Sequence, residues 1–188
     1  NIHIQDPKVP LKNFDYVIVP EHDGLSGQNV INSKGALHYL TLKEITDNHD
    51  YLKNKIHKDK QQILLVLGGP NKYYKYDKKS IGEIFQTLKI LAKKNDLQIL
   101  VIPSMRTPIN TIHYADKFFG EESIVIKNVD KKAYLSALSI SKFLVITCDS
   151  TSMISEAALT GKPIYVAQIS PKRNDLRFRQ FRDLFSKL

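Results

Sequence analysis

The strongest chemical signal in the sequence is a run of hydroxyl and carboxylate residues over Asp149–Glu156, between an apolar stretch and a helical pattern. Ser150 and Ser152 would lie at the start of that helix, where unpaired backbone N–H groups and the helix dipole favour a phosphate. Ser152 and Glu156 share one helical face, and the carboxylate could accept hydrogen bonds from ribose hydroxyls. The alternative is that Asp149 or Ser150 merely caps the helix and Glu156 is solvated.

Two other turns could face the same ligand. Gly68 and Gly69 follow an apolar run, and paired glycines let a backbone approach a ligand closely. Arg106 follows a second apolar run beside a helix start, where a guanidinium could bind a diphosphate through two N–H groups. Each turn alone is more often a plain turn, but three at one end of a sheet favour a ligand site. The predicted phosphate-binding set is Gly68, Gly69, Asn71, Ser104, Arg106, Thr107, Asp149, Ser150, Ser152 and Glu156.

A separate group of ionisable residues, Glu21, His22 and Asp23, follows an apolar run near the N-terminus. Any of the three could act as a general base or contact an acceptor. Ordinary loop polarity is the alternative for each of them. Adjacent residues on an extended chain point in different directions, so we expect no metal site from these three. The sequence also contains no HxxxH or CxxC pair.

The elements that would position these residues alternate between strand and helix from Ile63 onward. Short, continuous apolar runs are typical of parallel strands covered on both faces. Helix starts are indicated by a capping box at Ser80, by Thr107 followed by Pro108, and by Asp130. The pattern predicts an α/β fold with a Rossmann-like, doubly wound parallel sheet. The predicted strands are Ile63–Leu67, Gln98–Ile102, Ser123–Ile126, Phe143–Thr147 and Pro163–Ala167.

The first part of the chain has a different character. Phe14–Pro20 reads as a buried strand, followed by a polar, glycine-rich loop. We therefore predict the end of an N-terminal α/β domain with its acceptor-side loop at 1–45, a charged linker at 46–62, and a nucleotide-binding domain at 63–188. The first residue is Asn1 and the chain stops in a patterned segment, so we expect a piece of a longer protein, cut at both ends.

Composition narrows the class of protein. The 188 residues are 42% hydrophobic, enough for a packed core, and no apolar run approaches the length needed to span a bilayer. The net charge of +9 favours anionic partners without choosing among them. We expect no nucleic-acid partner, because the aromatic spacing matches no RNA- or DNA-binding signature. The single cysteine, Cys148, fits a reducing compartment, so we expect a cytoplasmic protein.

The C-terminal tail is a basic, amphipathic helical pattern. Its apolar positions recur at roughly helical intervals and are flanked by arginines. Such a helix can lie on a membrane, which would make the protein membrane-peripheral, but more often it packs on its own domain, and that is the prediction. The apolar positions are Leu176, Phe178, Phe181, Leu184, Phe185 and Leu188.

Several of these motifs occur together in one known family. Val19–Gly27 and Asn29–His38, then Leu67–Asn71, Ser104–Pro108 and Thr147–Pro163 resemble, in this order, the "elongated mitochondria" proteins of plant mitochondrial fission and their bacterial relatives. The Phe178–Leu184 segment also looks like the phenylalanine-rich helix of that family. One position departs from the pattern, because Met105 stands where the family usually has the first of two arginines.

The resemblance implies a GT-B-like architecture, in which two Rossmann-like domains face each other across a cleft. This chain would then hold the end of the first domain and most of the second, which in such glycosyltransferases binds a nucleotide-sugar. By position, Gly68 and Gly69 would approach the donor phosphates. The resemblance also implies that Ser104, Arg106, Ser150 and Ser152 hold the diphosphate and that Glu156 contacts the ribose.

Three functions follow from this reading. The leading prediction is a glycosyltransferase that uses a nucleotide-sugar donor, with no covalently bound cofactor and no obligatory metal ion. The second is a nucleotide-sugar epimerase on the same fold. The third is a non-catalytic scaffold that recruits a dynamin-like partner or docks on a membrane through its basic tail.

Overall fold

The computed structural model describes residues 1–187 and divides into two compact units. The smaller unit contains Asn1–Tyr39 and the C-terminal segment from Asp175, and the larger unit contains Leu40–Asn174. The predicted domains ended at residues 45, 62 and 188, whereas the two units divide after residues 39 and 174. The second division arises because the tail belongs to the unit that starts the chain. Leu188, the last apolar position of the predicted tail pattern, lies outside the described residues.

The larger unit is built on a sheet of five parallel strands. They are β4 (Gln61–Leu67), β5 (Leu97–Pro103), β6 (Ile124–Val125), β7 (Phe143–Thr147) and β8 (Ile164–Ala167), and they lie in the order β6-β5-β4-β7-β8. Every strand predicted from the sequence in this region is present, with ends within two residues of the prediction. The sheet order reverses between β4 and β7, and in open α/β sheets ligands bind outside the carboxyl ends of the strands at such a point.

Helices connect these strands through crossovers, as expected for a doubly wound sheet. They are α2 (Lys78–Lys94), α3 (Ile109–Phe119), α4 (Lys131–Ile140) and α5 (Thr151–Ala158). Asp130 caps α4 as predicted, since its carboxylate accepts a hydrogen bond from the backbone N–H of Ala133 at 3.1 Å. The capping box predicted at Ser80 is wrong: Asp77 caps α2 and accepts from the backbone N–H of Ser80 at 2.9 Å.

The segment predicted as a linker is a folded part of the larger unit. Thr41 caps the short helix α1 (Leu42–Asp47) in a capping box with Glu44, and a 3₁₀ turn follows at His49–Leu52. Leu52 is fully buried and its backbone N–H donates to the hydroxyl of Ser136 on α4 at 3.0 Å. The same hydroxyl donates to the carbonyl of His49 at 2.9 Å, so two hydrogen bonds tie this segment to α4.

We expect Ser136→Ala to lower the free energy of unfolding by about 2 kcal/mol, because it leaves the buried N–H of Leu52 and the part-buried carbonyl of His49 without their partner. Urea denaturation measures this change. The matched control is Ser170→Ala, since Ser170 is exposed and its truncation should change stability by less than about 0.5 kcal/mol. Equal stabilities of the two variants would contradict a structural role for the Ser136 hydroxyl.

The smaller unit contains three parallel strands and the tail helix. The strands β1 (Ile2–Ile4), β2 (Tyr16–Pro20) and β3 (Val30–Ser33) lie in that order in the sheet. The strand predicted at Phe14–Pro20 is therefore present as β2, whereas its two neighbours were not predicted.

The tail forms the helix α6 (Leu176–Phe185), which packs on a 3₁₀ turn at Glu21–Asp23. Phe181 is 1% exposed and contacts His22 edge to face, with 4.9 Å between ring centroids. The helical prediction for the tail is confirmed. Its apolar side packs within the smaller unit rather than on the predicted 63–188 domain, because Phe181 contacts His22 in the turn that follows β2, and Phe178 is also buried.

None of the helices found within residues 1–187 combines the length and the apolar character needed to cross a membrane.

Candidate functional site

Three loops of the larger unit meet at the carboxyl edge of its sheet, and the buried carboxylate of Asp149 joins them. Asp149 follows β7, and its Oδ2 accepts hydrogen bonds from the backbone N–H of Gly69 and from the Arg106 guanidinium, both at 3.0 Å. Gly69 follows β4 and Arg106 follows β5, so one side chain fixes the ends of three adjacent strands. The side chain of Asp149 is 0% exposed, so its carboxylate organises the three loops from within the protein.

Arg106 joins two of these loops and still reaches solvent. One terminal nitrogen donates to the Asp149 carboxylate and the other donates to the carbonyl of Gly69 at 2.9 Å. The side chain is 41% exposed, and a guanidinium has five N–H donors, so further donors remain for an anion. Arg106 is thus held in a fixed orientation at the edge of the sheet, which is the arrangement that bidentate recognition of phosphate requires.

The two glycines after β4 are required by close contacts with these partners. A Cβ atom on Gly68 would lie 2.2 Å from Oδ2 of Asp149, and one on Gly69 would lie 2.0 Å from the backbone oxygen of Arg106. Real Cβ atoms do not approach other heavy atoms this closely, so any side chain here would force the loops apart. The glycines therefore allow the three loops to meet.

The remaining predicted residues of the first two loops shape the backbone. The Thr107 hydroxyl contacts the carbonyls of Leu67 at 2.8 Å and Gly68 at 2.6 Å, and it accepts from the backbone N–H of Ser104 at 2.8 Å. Thr107 therefore ties β5 to β4. The prediction that Thr107 caps α3 is wrong, because the N-cap residue of that helix is Pro108. Asn71 belongs to the same network, because its side-chain amide donates to the backbone carbonyl of Asp149 at 3.2 Å.

Sequence reasoning missed two residues of this network, Tyr76 and Thr147. The Tyr76 hydroxyl donates to Oδ1 of Asp149 at 2.7 Å and lies 2.7 Å from the Thr147 hydroxyl, which also accepts from the backbone N–H of Gly68 at 2.9 Å. Burial, reinforced by the Asp149 carboxylate, raises the pKa of Tyr76 far above its usual range, so the phenol remains a donor. The sequence signal that could have indicated Tyr76 is the tyrosine-rich stretch that follows the two glycines.

The start of α5 provides a second set of donors beside this network. Ser150 is the N-cap residue, and its hydroxyl accepts from the backbone N–H of Met153 at 3.4 Å. Thr151 and Ser152 occupy the first two helical positions, where backbone N–H groups have no acceptor inside the helix. The Ser152 side chain is exposed. An anion placed here would meet N–H groups and the positive end of the helix dipole.

Glu156 lies one turn further along α5 and is half-buried rather than fully solvated. Its carboxylate accepts a hydrogen bond from the hydroxyl of Tyr134 on α4 at 2.9 Å. Burial is the main reason, and the Glu156 charge the second, that the pKa of Tyr134 is raised well above its usual range. The larger unit carries the ten predicted residues on three loops and on α5, and of these Gly69, Asn71 and Arg106 bond directly to Asp149.

The three candidates for a general base lie in the smaller unit and differ in accessibility. Glu21 is exposed. His22 has a side chain that is 0% exposed, and neither ring nitrogen has a hydrogen-bond partner within residues 1–187. Asp23 is mostly buried and forms an ion pair with Arg177 of α6. Of the three, only Glu21 faces solvent.

We expect the stability of the smaller unit to fall as the pH drops below about 6.5, the ordinary pKa of histidine. Burial lowers the pKa of His22, despite the opposing charge of Asp23, so the unfolded chain binds a proton that the folded unit does not. His22→Gln should remove this part of the pH dependence, measured as urea midpoints between pH 5 and pH 8. The control is His113→Gln, because His113 is exposed and its replacement should leave the slope unchanged.

No cluster of three or more His, Cys, Asp or Glu side chains in the described part of the chain has the arrangement to hold a metal ion.

Comparison with known proteins gives two curated relatives. The mitochondrial fission protein ELM1 of Arabidopsis thaliana is 27% identical over 195 residues, which cover 88% of this chain and 44% of the plant protein. The uncharacterized protein RP120 of Rickettsia prowazekii is 26% identical over 220 residues, which cover 96% of this chain and 60% of that protein. The chain thus spans about half the length of the curated relatives that it matches.

Among solved structures, the S. aureus MnaA–UDP co-structure aligns with a TM-score of 0.52 at 16% identity, covering 81% of this chain and 42% of that one. At this identity the likeness establishes the fold, and it supports the GT-B-like α/β architecture expected from the sequence. The family model described as mitochondrial fission ELM1 matches residues 1–188, the whole of the sequence. This chain therefore belongs to the mitochondrial fission ELM1 family.

Proposed function

We propose that this protein is a GT-B-like enzyme that binds a nucleotide-sugar at the carboxyl edge of the larger unit's sheet and transfers the sugar to an acceptor. The observation that carries the proposal is the Asp149 network, which holds three loops together at the point where the strand order reverses. A buried carboxylate with this many fixed partners is costly to maintain for a plain turn. Its effect is to hold the Arg106 guanidinium, which is 41% exposed, at the edge of the sheet.

The donor diphosphate would lie between Arg106 and the start of α5. Two of the guanidinium N–H groups are used within the protein, and the others would bind phosphate oxygens. The backbone N–H groups of Thr151 and Ser152, together with the Ser152 hydroxyl, would bind the adjacent oxygens. These donors are in place before the reaction, so they would stabilise the negative charge that develops on the leaving diphosphate.

Glu156 would accept hydrogen bonds from the ribose, because it lies one turn beyond the proposed phosphate position on the same helix. In the smaller unit we assign Glu21 as the preferred general base among the three candidates, since it alone faces solvent. His22 would need to be uncovered, and Asp23 to leave Arg177, before either could take a proton.

The first ligand to test is UDP, which is present in the S. aureus MnaA co-structure. Calorimetric titration of the protein, produced at its natural length, should show saturable UDP binding. Arg106→Gln should weaken this binding at least tenfold, because it removes a charge-assisted contact worth about 1.5–3 kcal/mol. The matched control is Arg173→Gln, which removes an exposed arginine outside the network. Absence of binding by UDP, GDP, ADP and CMP would overturn the donor site.

Product analysis with a bound nucleotide-sugar separates the transferase from an epimerase, since an epimerase converts the sugar without an acceptor.

The scaffold alternative depends on the tail helix as a membrane or partner surface. In the structure the apolar side of α6 packs within the smaller unit, where Phe181 contacts His22 and Phe185. Arg177 pairs with Asp23, and Arg179 pairs with Asp175 at 3.2 Å. These contacts favour a structural role for α6. Co-sedimentation with anionic liposomes that is lost on charge reversal of Arg177 and Arg179 would favour the scaffold instead.

A further inference from the structure

One hydroxyl on the neighbouring helix fixes the carboxylate of Glu156. Tyr134 on α4 donates to Oε2 of Glu156 on α5 at 2.9 Å, and both side chains are half-buried. Within residues 1–187 this is the one hydrogen bond that the structure gives to the Glu156 carboxylate. Its other oxygen, Oε1, is not a buried unpaired atom. Oε2 is therefore committed to Tyr134, while Oε1 stays able to accept from a ligand.

The hydrogen bond from Tyr134 reduces the entropic cost of binding a sugar hydroxyl to Glu156. A glutamate side chain has several rotamers, and fixing them on binding costs up to about 2 kcal/mol. Tyr134 fixes them beforehand. Its phenol is a reliable donor over the physiological pH range because burial raises its pKa.

We propose that Tyr134 is a positioning residue that orients Glu156, so that the free carboxylate oxygen accepts hydrogen bonds from the ribose hydroxyls of the bound nucleotide. This inference rests on the proposed donor site, because it requires a ribose-bearing ligand at α5. It goes beyond that site by assigning the selection between ribose and deoxyribose to a pair of residues on two helices. Tyr134 itself does not touch the ligand.

The test measures dissociation constants for UDP and 2′-deoxy-UDP with four forms of the protein, produced at its natural length: wild type, Tyr134→Phe, Glu156→Gln and the double variant. Wild type should prefer UDP about tenfold, as expected for a hydroxyl bonded to a charged group. Tyr134→Phe should weaken UDP binding roughly fivefold and change 2′-deoxy-UDP binding less than about twofold. The double variant should bind like Glu156→Gln, because Tyr134 acts through that carboxylate.

The matched control is Tyr51→Phe. The Tyr51 hydroxyl also donates to a carboxylate at 2.9 Å, that of Asp130, so this variant loses the same kind of bond away from Glu156. It should retain the wild-type preference for UDP.

Three results would overturn the role of Tyr134 while leaving the donor site intact. Two of them come from Tyr134→Phe: wild-type selectivity, or equal weakening of both nucleotides, which is the signature of a purely structural role. The third comes from the double variant. A wild-type protein that binds no UDP would instead overturn the donor site, and the role of Tyr134 with it. Additive losses in the double variant would show that Tyr134 does not act through Glu156.

Discussion

Replacing Asp149 with asparagine should leave a folded protein that is about 2 kcal/mol less stable and binds UDP at least tenfold more weakly. The substitution keeps the size of the side chain and removes the charge that pairs with Arg106 at 3.0 Å. The guanidinium would then lose its fixed orientation, and the Gly69 N–H and the Tyr76 hydroxyl would compete for one remaining oxygen acceptor. Urea denaturation gives the stability change, and calorimetry gives the affinity.

Asp59→Asn is the control for this experiment. Asp59 is exposed in a loop, so the same chemical change there should alter neither quantity by more than about 0.5 kcal/mol. Wild-type stability and affinity in Asp149→Asn would mean that the buried carboxylate organises nothing, and the proposed function would lose its main support.

Gly69→Ala adds one methyl group and should lower the free energy of unfolding by about 3 kcal/mol. The new Cβ would lie 2.0 Å from the backbone oxygen of Arg106, and a backbone cannot rotate away as a side chain can. The loops after β4 and β5 would have to separate. UDP binding should therefore fall together with stability.

Gly161→Ala separates this clash from a general intolerance of side chains at glycine positions. Gly161 has a φ of +64°, but no atom lies within 4 Å of the place that a methyl group would occupy, so its replacement costs only the backbone strain, about 1–2 kcal/mol. We expect Gly161→Ala to retain UDP binding. If Gly69→Ala were no more harmful than Gly161→Ala, the close approach of the two loops would not matter for stability.

The strands of the larger sheet were predictable because their physical signal is local. Phe143–Thr147 was predicted to the residue, since a strand covered on both faces needs a continuous apolar run. The strand β3 was missed because its four residues, Val30–Ser33, include two polar side chains and none of the four is fully buried. A half-exposed edge strand of this kind is indistinguishable from a loop in a single sequence.

The three loops that meet at Asp149 were predictable from the sequence, but the partners of the individual side chains were not. Asp149 was predicted to bind phosphate, yet it binds Arg106 and Tyr76, which lie 43 and 73 residues away in the chain. Thr107 has the spacing of a helix cap, but its hydroxyl is engaged with the carbonyl of Leu67, 40 residues earlier. Such partners are set by the order of strands in the sheet, which no local pattern encodes.

The helix caps show the same limit at shorter range. Ser80 with Glu83 and Asp77 with Ser80 both satisfy the spacing of a capping interaction, and the sequence alone does not choose between them. The structure uses Asp77, and the helix begins at Lys78.

The division of the chain has a consequence for how the protein folds. The smaller unit uses the first residues and the last ones, so its tail helix can join β2 only after a loop as long as the entire larger unit has been closed. Closing a flexible loop of that length is entropically costly, whereas a folded larger unit holds its two ends at a fixed separation. Folding of the larger unit thus lowers the entropic barrier for the smaller one. Within this stretch of chain the tail helix is synthesised after the larger unit, so the contact between Phe181 and His22 forms only once the larger unit has been synthesised.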